Sequence, residues 1–84
     1  MYYVYLLKSA KTKGYYIGCT GDLKKRLEMH NTGKSLYIKN KEPWELKYYE
    51  AYFSKSDAFN REKQLKKNRS GYRELRKRLA ESLK

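Results

Sequence analysis

The sequence predicts a small α+β domain: a three-stranded, mainly antiparallel sheet flanked by helices, in the order β-β-α-β-α-α. Three observations lead there. Aromatic and β-branched residues gather in three short runs, at residues 2–8, 15–19 and 46–53. Apolar residues recur at helical spacing elsewhere, in Leu23/Leu27 with His30 following at the same spacing, Ala58/Phe59/Leu65 and Tyr72/Leu75/Leu79/Leu83. The polar stretch 9–14, ending in Gly14, joins the first two runs as a hairpin turn.

The elements follow in order. Residues 2–8 (Tyr-Tyr-Val-Tyr-Leu-Leu-Lys) form the first strand and residues 15–19 (Tyr-Tyr-Ile-Gly-Cys) the second. Gly18, inside that short strand, marks a place where something approaches the backbone closely. Asp22 is a good N-cap for a helix from Leu23, which Asn31-Thr32-Gly33 stops, with Gly33 just past its end. Residues 34–44 are basic, hold the single proline, Pro43, and read as an exposed loop. Residues 46–53 are the third strand. Ser56 is placed to cap a second helix running to about Lys67, with Ala58, Phe59 and Leu65 inward. Gly71 marks a break before a third helix. Repeats, low-complexity stretches and linkers are absent from the sequence, so residues 1–84 are expected to form one domain.

Composition narrows the function. In 84 residues there is room for one modest core. The N-terminus lacks the features of a secretory signal. No apolar run approaches the roughly 20 residues that cross a bilayer. A single cysteine, Cys19, rules out an internal disulfide, and a reducing cytoplasm is the expected compartment. Lys and Arg number 21 against 9 acidic residues, a net charge of +12. A compact chain this basic repels itself unless it meets a polyanion, and nucleic acid offsets the repulsion by counterion release. Residues 61–84 carry ten basic and three acidic side chains, a net of +7. This segment is either a solvated helix face or a phosphate-tracking surface, with Lys66, Lys67, Arg69 and Arg73 as the contacts expected in the second case.

Polar residues also stand on faces that should be apolar. Arg26 and His30 lie one turn apart beside the Leu23/Leu27 stripe, where burial is costly without partners. Glu62 sits at helical spacing from Ala58, Phe59 and Leu65. Periodicity leaves two readings of it open: a buried salt-bridge partner of Arg26, or a ligand for Mg²⁺, which often takes only one or two protein carboxylates. Phosphodiester cleavage needs a base, positive charge at the phosphorus centre and a metal or acid at the leaving oxygen. A tyrosine-rich hairpin, an Arg-His pair and an inward glutamate are parts of such a site. One Cys and one His cannot make a tetrahedral zinc site, and no P-loop is present. Asp22 and Asp57 are the only aspartates, which argues against a multi-carboxylate two-metal nuclease.

Together these residues resemble the GIY-YIG endonuclease superfamily, in a small stand-alone form. Tyr3-Val4-Tyr5 stands at the first motif, without its leading glycine, and Tyr16-Ile17-Gly18 matches the second. Arg26, His30 and Glu62 (in Arg61-Glu62-Lys63-Gln64-Leu65-Lys66) fall where the family's later motifs fall. The resemblance runs from Tyr2 to about Lys67. It implies a metal-dependent nuclease acting on DNA, with single-stranded or branched DNA as candidate substrates, in repair or processing. It implies Tyr16 as general base, Tyr5 orienting water or phosphate, and Arg26 neutralising phosphate charge. It further implies His30 assisting proton transfer or holding the tyrosines, and Glu62 binding one divalent ion, Mg²⁺ or Mn²⁺. No organic cofactor and no membrane are expected. Larger relatives add a DNA-binding domain, so specificity here would come from nucleic-acid structure or a partner protein. The alternative is a non-catalytic nucleic-acid-binding module on the same scaffold.

Overall fold

The computed structural model describes residues 1–32, 43–67 and 69–84, with the backbone alone for Arg69. Strands β1 (Tyr2–Ser9), β2 (Tyr15–Thr20) and β3 (Trp44–Tyr52) form one sheet, with helices α1 (Leu23–Asn31), α2 (Lys55–Lys67) and α3 (Arg69–Arg78). The element order is the expected one. The strands lie in the order β2-β1-β3, antiparallel throughout, so β1 is central. Its residues Val4, Tyr5, Leu6 and Leu7 are all buried because both faces of the sheet are covered. Val4 and Leu6 pack with Ile17 against Ala58, Leu65, Leu75 and Leu83. Tyr5 and Leu7 pack with Trp44 against Leu23 and Leu27 of α1. Among the described residues, no helix is long and apolar enough to cross a membrane.

A bulge in β3 decides which side chains reach which layer. Leu6 faces Tyr48 while Leu7 faces Leu46, leaving Lys47 as the extra residue. Trp44 and Leu46 therefore face α1, whereas Tyr48 and Tyr52 face α2. The side chain of Asn31 ties the end of α1 to the start of β3. It accepts from the Trp44 N–H at 2.6 Å and donates to the Trp44 carbonyl at 3.1 Å.

Several local expectations are corrected. Strand β3 begins at Trp44, two residues early, and leaves Phe53 outside it and 87% exposed. Ser54, not Ser56, caps α2: its Oγ accepts from the Asp57 N–H and its carbonyl from the Ala58 N–H. Phe59 is exposed on that helix, with the Lys55 ammonium 5.6 Å from its ring centre. Gly71 does not break the chain but lies within α3. That helix ends at Arg78, and the Leu79/Leu83 part of the stripe continues through turns, with the Leu83 N–H on the Leu79 carbonyl. The hairpin turn forms as expected, with Lys13 in the left-handed region at φ 64°. Gly33, Asn68 and residues 34–42 lie outside the described residues.

One polar network holds β3 to α2. Glu50 accepts Arg61 Nε at 2.9 Å and Nη2 at 3.0 Å, and both the Tyr48 and Tyr52 hydroxyls. Burial alone would push the Glu50 carboxyl up, but the hydrogen bonds from Arg61, Tyr48 and Tyr52 outweigh it and hold it below its ordinary value. Burial, reinforced by the hydrogen bond and charge of Glu50, pushes both tyrosines up to about 12. Glu50→Gln is expected to cost about 2 kcal/mol, less than breaking a fully buried pair because Arg61 keeps some exposure to water. Urea melts of the two proteins at neutral pH measure it.

Candidate active site

Tyr5 lies on central β1 and points toward α1, 2% exposed. Its register partner on β2 is Gly18. A Cβ at that position would lie 2.3 Å from the Tyr5 hydroxyl oxygen and 2.5 Å from Cζ. The close approach expected at Gly18 is therefore made by the Tyr5 ring. Two residues back, Tyr16 projects to the same face by strand alternation and packs against Tyr5, Leu7 and Trp44.

Helix α1 supplies the next two groups. Asp22 caps it, accepting from the Lys25 N–H at 3.1 Å, and Leu23 and Leu27 fix its face on the sheet. That orientation buries His30 to 1% exposure. Its Nε2 lies 3.0 Å from the Tyr5 hydroxyl. The Tyr16 ring meets the His30 ring edge-on at 5.1 Å between centres, with Tyr5 at 6.3 Å and Trp44 at 6.2 Å from Tyr16. Arg26, one turn earlier, is exposed, yet its charge acts on both Tyr5 and His30.

Glu62 comes from α2, on the opposite layer, and reaches the group at the β2 edge. Its charge acts on Tyr5 and on Cys19. Its side chain is 16% exposed, and its ion-pair partner is Lys66, at 3.0 Å, not Arg26. The buried Arg26–Glu62 bridge considered from sequence is thus replaced by an i,i+4 pair. Lys66 also places its ammonium 5.8 Å from the Tyr16 ring centre. The structure brings Tyr5, Tyr16, Arg26, His30 and Glu62 into one neighbourhood and adds Lys66 to it. Lys67 and Arg73 are exposed on α2 and α3, and the Arg69 side chain lies outside the described residues.

Electrostatics set the protonation states of Tyr5 and His30. Burial, with the neighbouring Tyr16 and Glu62 adding to it, raises the Tyr5 hydroxyl above its ordinary value against the pull of Arg26. Tyr5 is therefore protonated at neutral pH. Burial, aided by the Arg26 charge, lowers His30 below 6.5, so its ring is neutral there. Nδ1 of His30 has no hydrogen-bond partner among the described residues. An unpaired buried N–H is the costlier orphan, so the ring proton belongs on Nε2, donating to the Tyr5 oxygen. The Tyr5 O–H is then left to donate elsewhere.

A pH dependence follows. The folded state takes up the His30 proton at lower pH than the unfolded chain does. Stability is full above about 6.5 and falls as pH drops from there toward the folded value, by at most about 1.4 kcal/mol per unit. Thermal melts at pH 7.5, 6.5 and 5.5 should show the fall, and His30→Gln should flatten it in this window.

Some site features were not legible in the sequence. Trp44, 4% exposed, sat at the end of a presumed loop, although a tryptophan beside a strand run was a usable signal. The Glu62/Lys66 spacing was the mark of their pairing.

Comparison with known proteins places these residues in context. Residues 1–78 match the family model of the GIY-YIG catalytic domain. A UPF0213 protein of Streptococcus pyogenes serotype M5 is 42% identical over 74 residues, 87% of this chain and 79% of its own. Another, from Oceanobacillus iheyensis, is 36% identical over 66 residues, 77% of this chain and 76% of its own. The solution NMR structure of a UPF0213 protein from Bacillus halodurans is similar with a TM-score of 0.53 at 30% identity. That likeness covers 89% of this chain and 83% of the other.

Proposed function

Because the chain belongs to the GIY-YIG catalytic domain family, a family of nucleases, we propose that it is a metal-dependent endonuclease that hydrolyses phosphodiester bonds in DNA. Single-stranded or branched DNA are the substrates to test first, with repair or processing as the setting. One observation carries the reading. The buried Tyr5–His30 hydrogen bond has Tyr16 packed on its imidazole, with the charges of Arg26 and Glu62 acting on the same tyrosine hydroxyl.

The roles divide by environment. Tyr5, kept protonated by burial and oriented by His30, donates a hydrogen bond to water or phosphate. Tyr16 is the general base that takes the proton of the attacking water. Arg26 keeps its guanidinium in solvent, where it can meet a phosphate and neutralise charge as it builds on the phosphorus oxygens. Glu62 would hold the divalent ion, Mg²⁺ or Mn²⁺. No group of three His, Cys, Asp or Glu gathers among the described residues. The donor set therefore fits an ion that accepts one carboxylate and completes its shell with water and phosphate oxygens. Such an ion, when bound, stabilises the leaving oxygen. Lys66 pairs with the Glu62 carboxylate at 3.0 Å beforehand.

The test is incubation with Mg²⁺ or Mn²⁺ on single-stranded, duplex and branched DNA, with binding followed across a salt series. Cleavage is expected, and log affinity should fall linearly with log salt by roughly 0.7–0.9 per neutralised phosphate. Salt-dependent binding without cleavage of any substrate would favour the non-catalytic module. Absence of binding at low salt would remove nucleic acid as the partner.

A further inference from the structure

The charge of the C-terminal segment is not spread evenly. Helix α3 packs on α2, and with the turns after it and Tyr15 of β2 it bounds a cleft of about 640 Å³. That is the size of pockets that take ligands of a few ring systems, about 300–1,000 Å³. It is lined by the rings of Tyr15 and Tyr72 and by the cations Arg73, Arg76, Lys77 and Lys84, with no Asp or Glu among the residues lining it. The Arg76 guanidinium lies 4.6 Å from the Tyr15 ring centre and 5.7 Å from that of Tyr72. A second cleft, also bounded by Tyr15 and Tyr72, continues from there to Tyr16 and Lys66. A path of aromatic rings and cations thus runs along the open edge of the sheet from α3 to the candidate active site.

Cations alone would serve to bind phosphates, and a duplex needs nothing more, because its bases are stacked on each other. Two rings and the Arg76 guanidinium plane, with further cations beside them, suit a strand whose bases are unpaired. The bases stack on π-faces while the phosphates meet the remaining cations. We propose that the cleft between β2 and α3 is a stacking site for unpaired nucleobases of single-stranded DNA, built from Tyr15, Tyr72 and Arg76, which leads the strand to Tyr16. The inference rests on the nuclease reading for what happens at Tyr16, but the binding claim stands apart from cleavage.

The experiment measures fluorescence anisotropy in EDTA, so that nothing is cut. The probes are labelled single strands of roughly ten nucleotides, one of thymidines and one of the same length made of abasic sugar-phosphates. Both carry the same number of phosphates. The wild-type protein is expected to bind the thymidine strand about tenfold or more tighter. Arg76→Ala, at an exposed position, should abolish that preference, and so should Tyr72→Leu. Arg73→Ala, which removes the same charge but no stacking contact, should weaken both strands equally and keep the preference. Should Tyr72→Leu fail to fold, as judged by circular dichroism, Arg76→Ala decides the matter alone. Equal wild-type affinity for both strands overturns the proposal, as does a preference that survives Arg76→Ala. Adding Mg²⁺ then separates the two readings. Base-dependent binding without cleavage removes the nuclease and leaves the stacking site. Cleavage without base preference removes the stacking site and leaves the nuclease.

Discussion

Tyr16→Phe is expected to lower cleavage by about 10²–10⁴-fold, the usual contribution of a positioned general base, while leaving the fold intact. The substitution removes one oxygen and keeps the ring. The contacts with His30, Tyr5 and Trp44 and with the Lys66 ammonium depend on that ring. Single-turnover cleavage with saturating protein reads the chemical step, and a thermal melt checks the fold. Tyr5→Phe is a less clean probe. It would strip His30 of its hydrogen bond at Nε2 when Nδ1 already has no partner among the described residues, and should itself cost about 1–3 kcal/mol of stability. Tyr2→Phe and Tyr15→Phe are the controls. Both residues pack on the α2/α3 side of the sheet, so both variants should cut normally, and Tyr15→Phe retains its stacking ring. If Tyr16→Phe cuts at the wild-type rate, the base is another group.

Glu62→Gln should abolish metal-dependent cleavage with little change in stability. The Lys66 partner is about half exposed, and exposed i,i+4 pairs contribute only about 0.3–0.5 kcal/mol. The melting temperature should therefore move by no more than about 4 °C. Nucleic-acid binding should stay near normal, or strengthen slightly, because a negative charge is removed beside Lys66. Mg²⁺ affinity by calorimetry should fall together with cleavage. A variant that loses about 3 kcal/mol of stability yet still cuts DNA would make Glu62 a structural anchor and turn the reading toward the binding module. The ion-pair geometry opposes that result, since Arg26 is exposed and not paired with Glu62.

Much of this protein was readable from the chain alone. The three strands and three helices, Asp22 as a cap and the close approach at Gly18 follow from propensity, periodicity and steric need, which act over a few residues. The net charge of +12 follows from composition. The Tyr5, Tyr16, Arg26, His30 and Glu62 set was legible as residues out of pattern and, in its ordered spacing, as a family resemblance. What spacing could not supply is which partners these residues take. Glu62 could be paired with Arg26 on paper, but α2 lies on the layer opposite α1, and the nearest cation was one turn along its own helix. Ser54 displaced Ser56 as the cap because β3 ends at Tyr52. The Lys47 bulge, invisible to alternation, turned Tyr48 and Tyr52 toward α2 and created the Glu50–Arg61 network. Only the packing of α3 on α2, which itself covers β2, brought Arg76 over Tyr15, two residues whose separation along the chain carries no information about their contact. Local rules determine the elements and which residues stand out. Register, layer and the edge a helix covers are non-local, and they decide which of those residues meet.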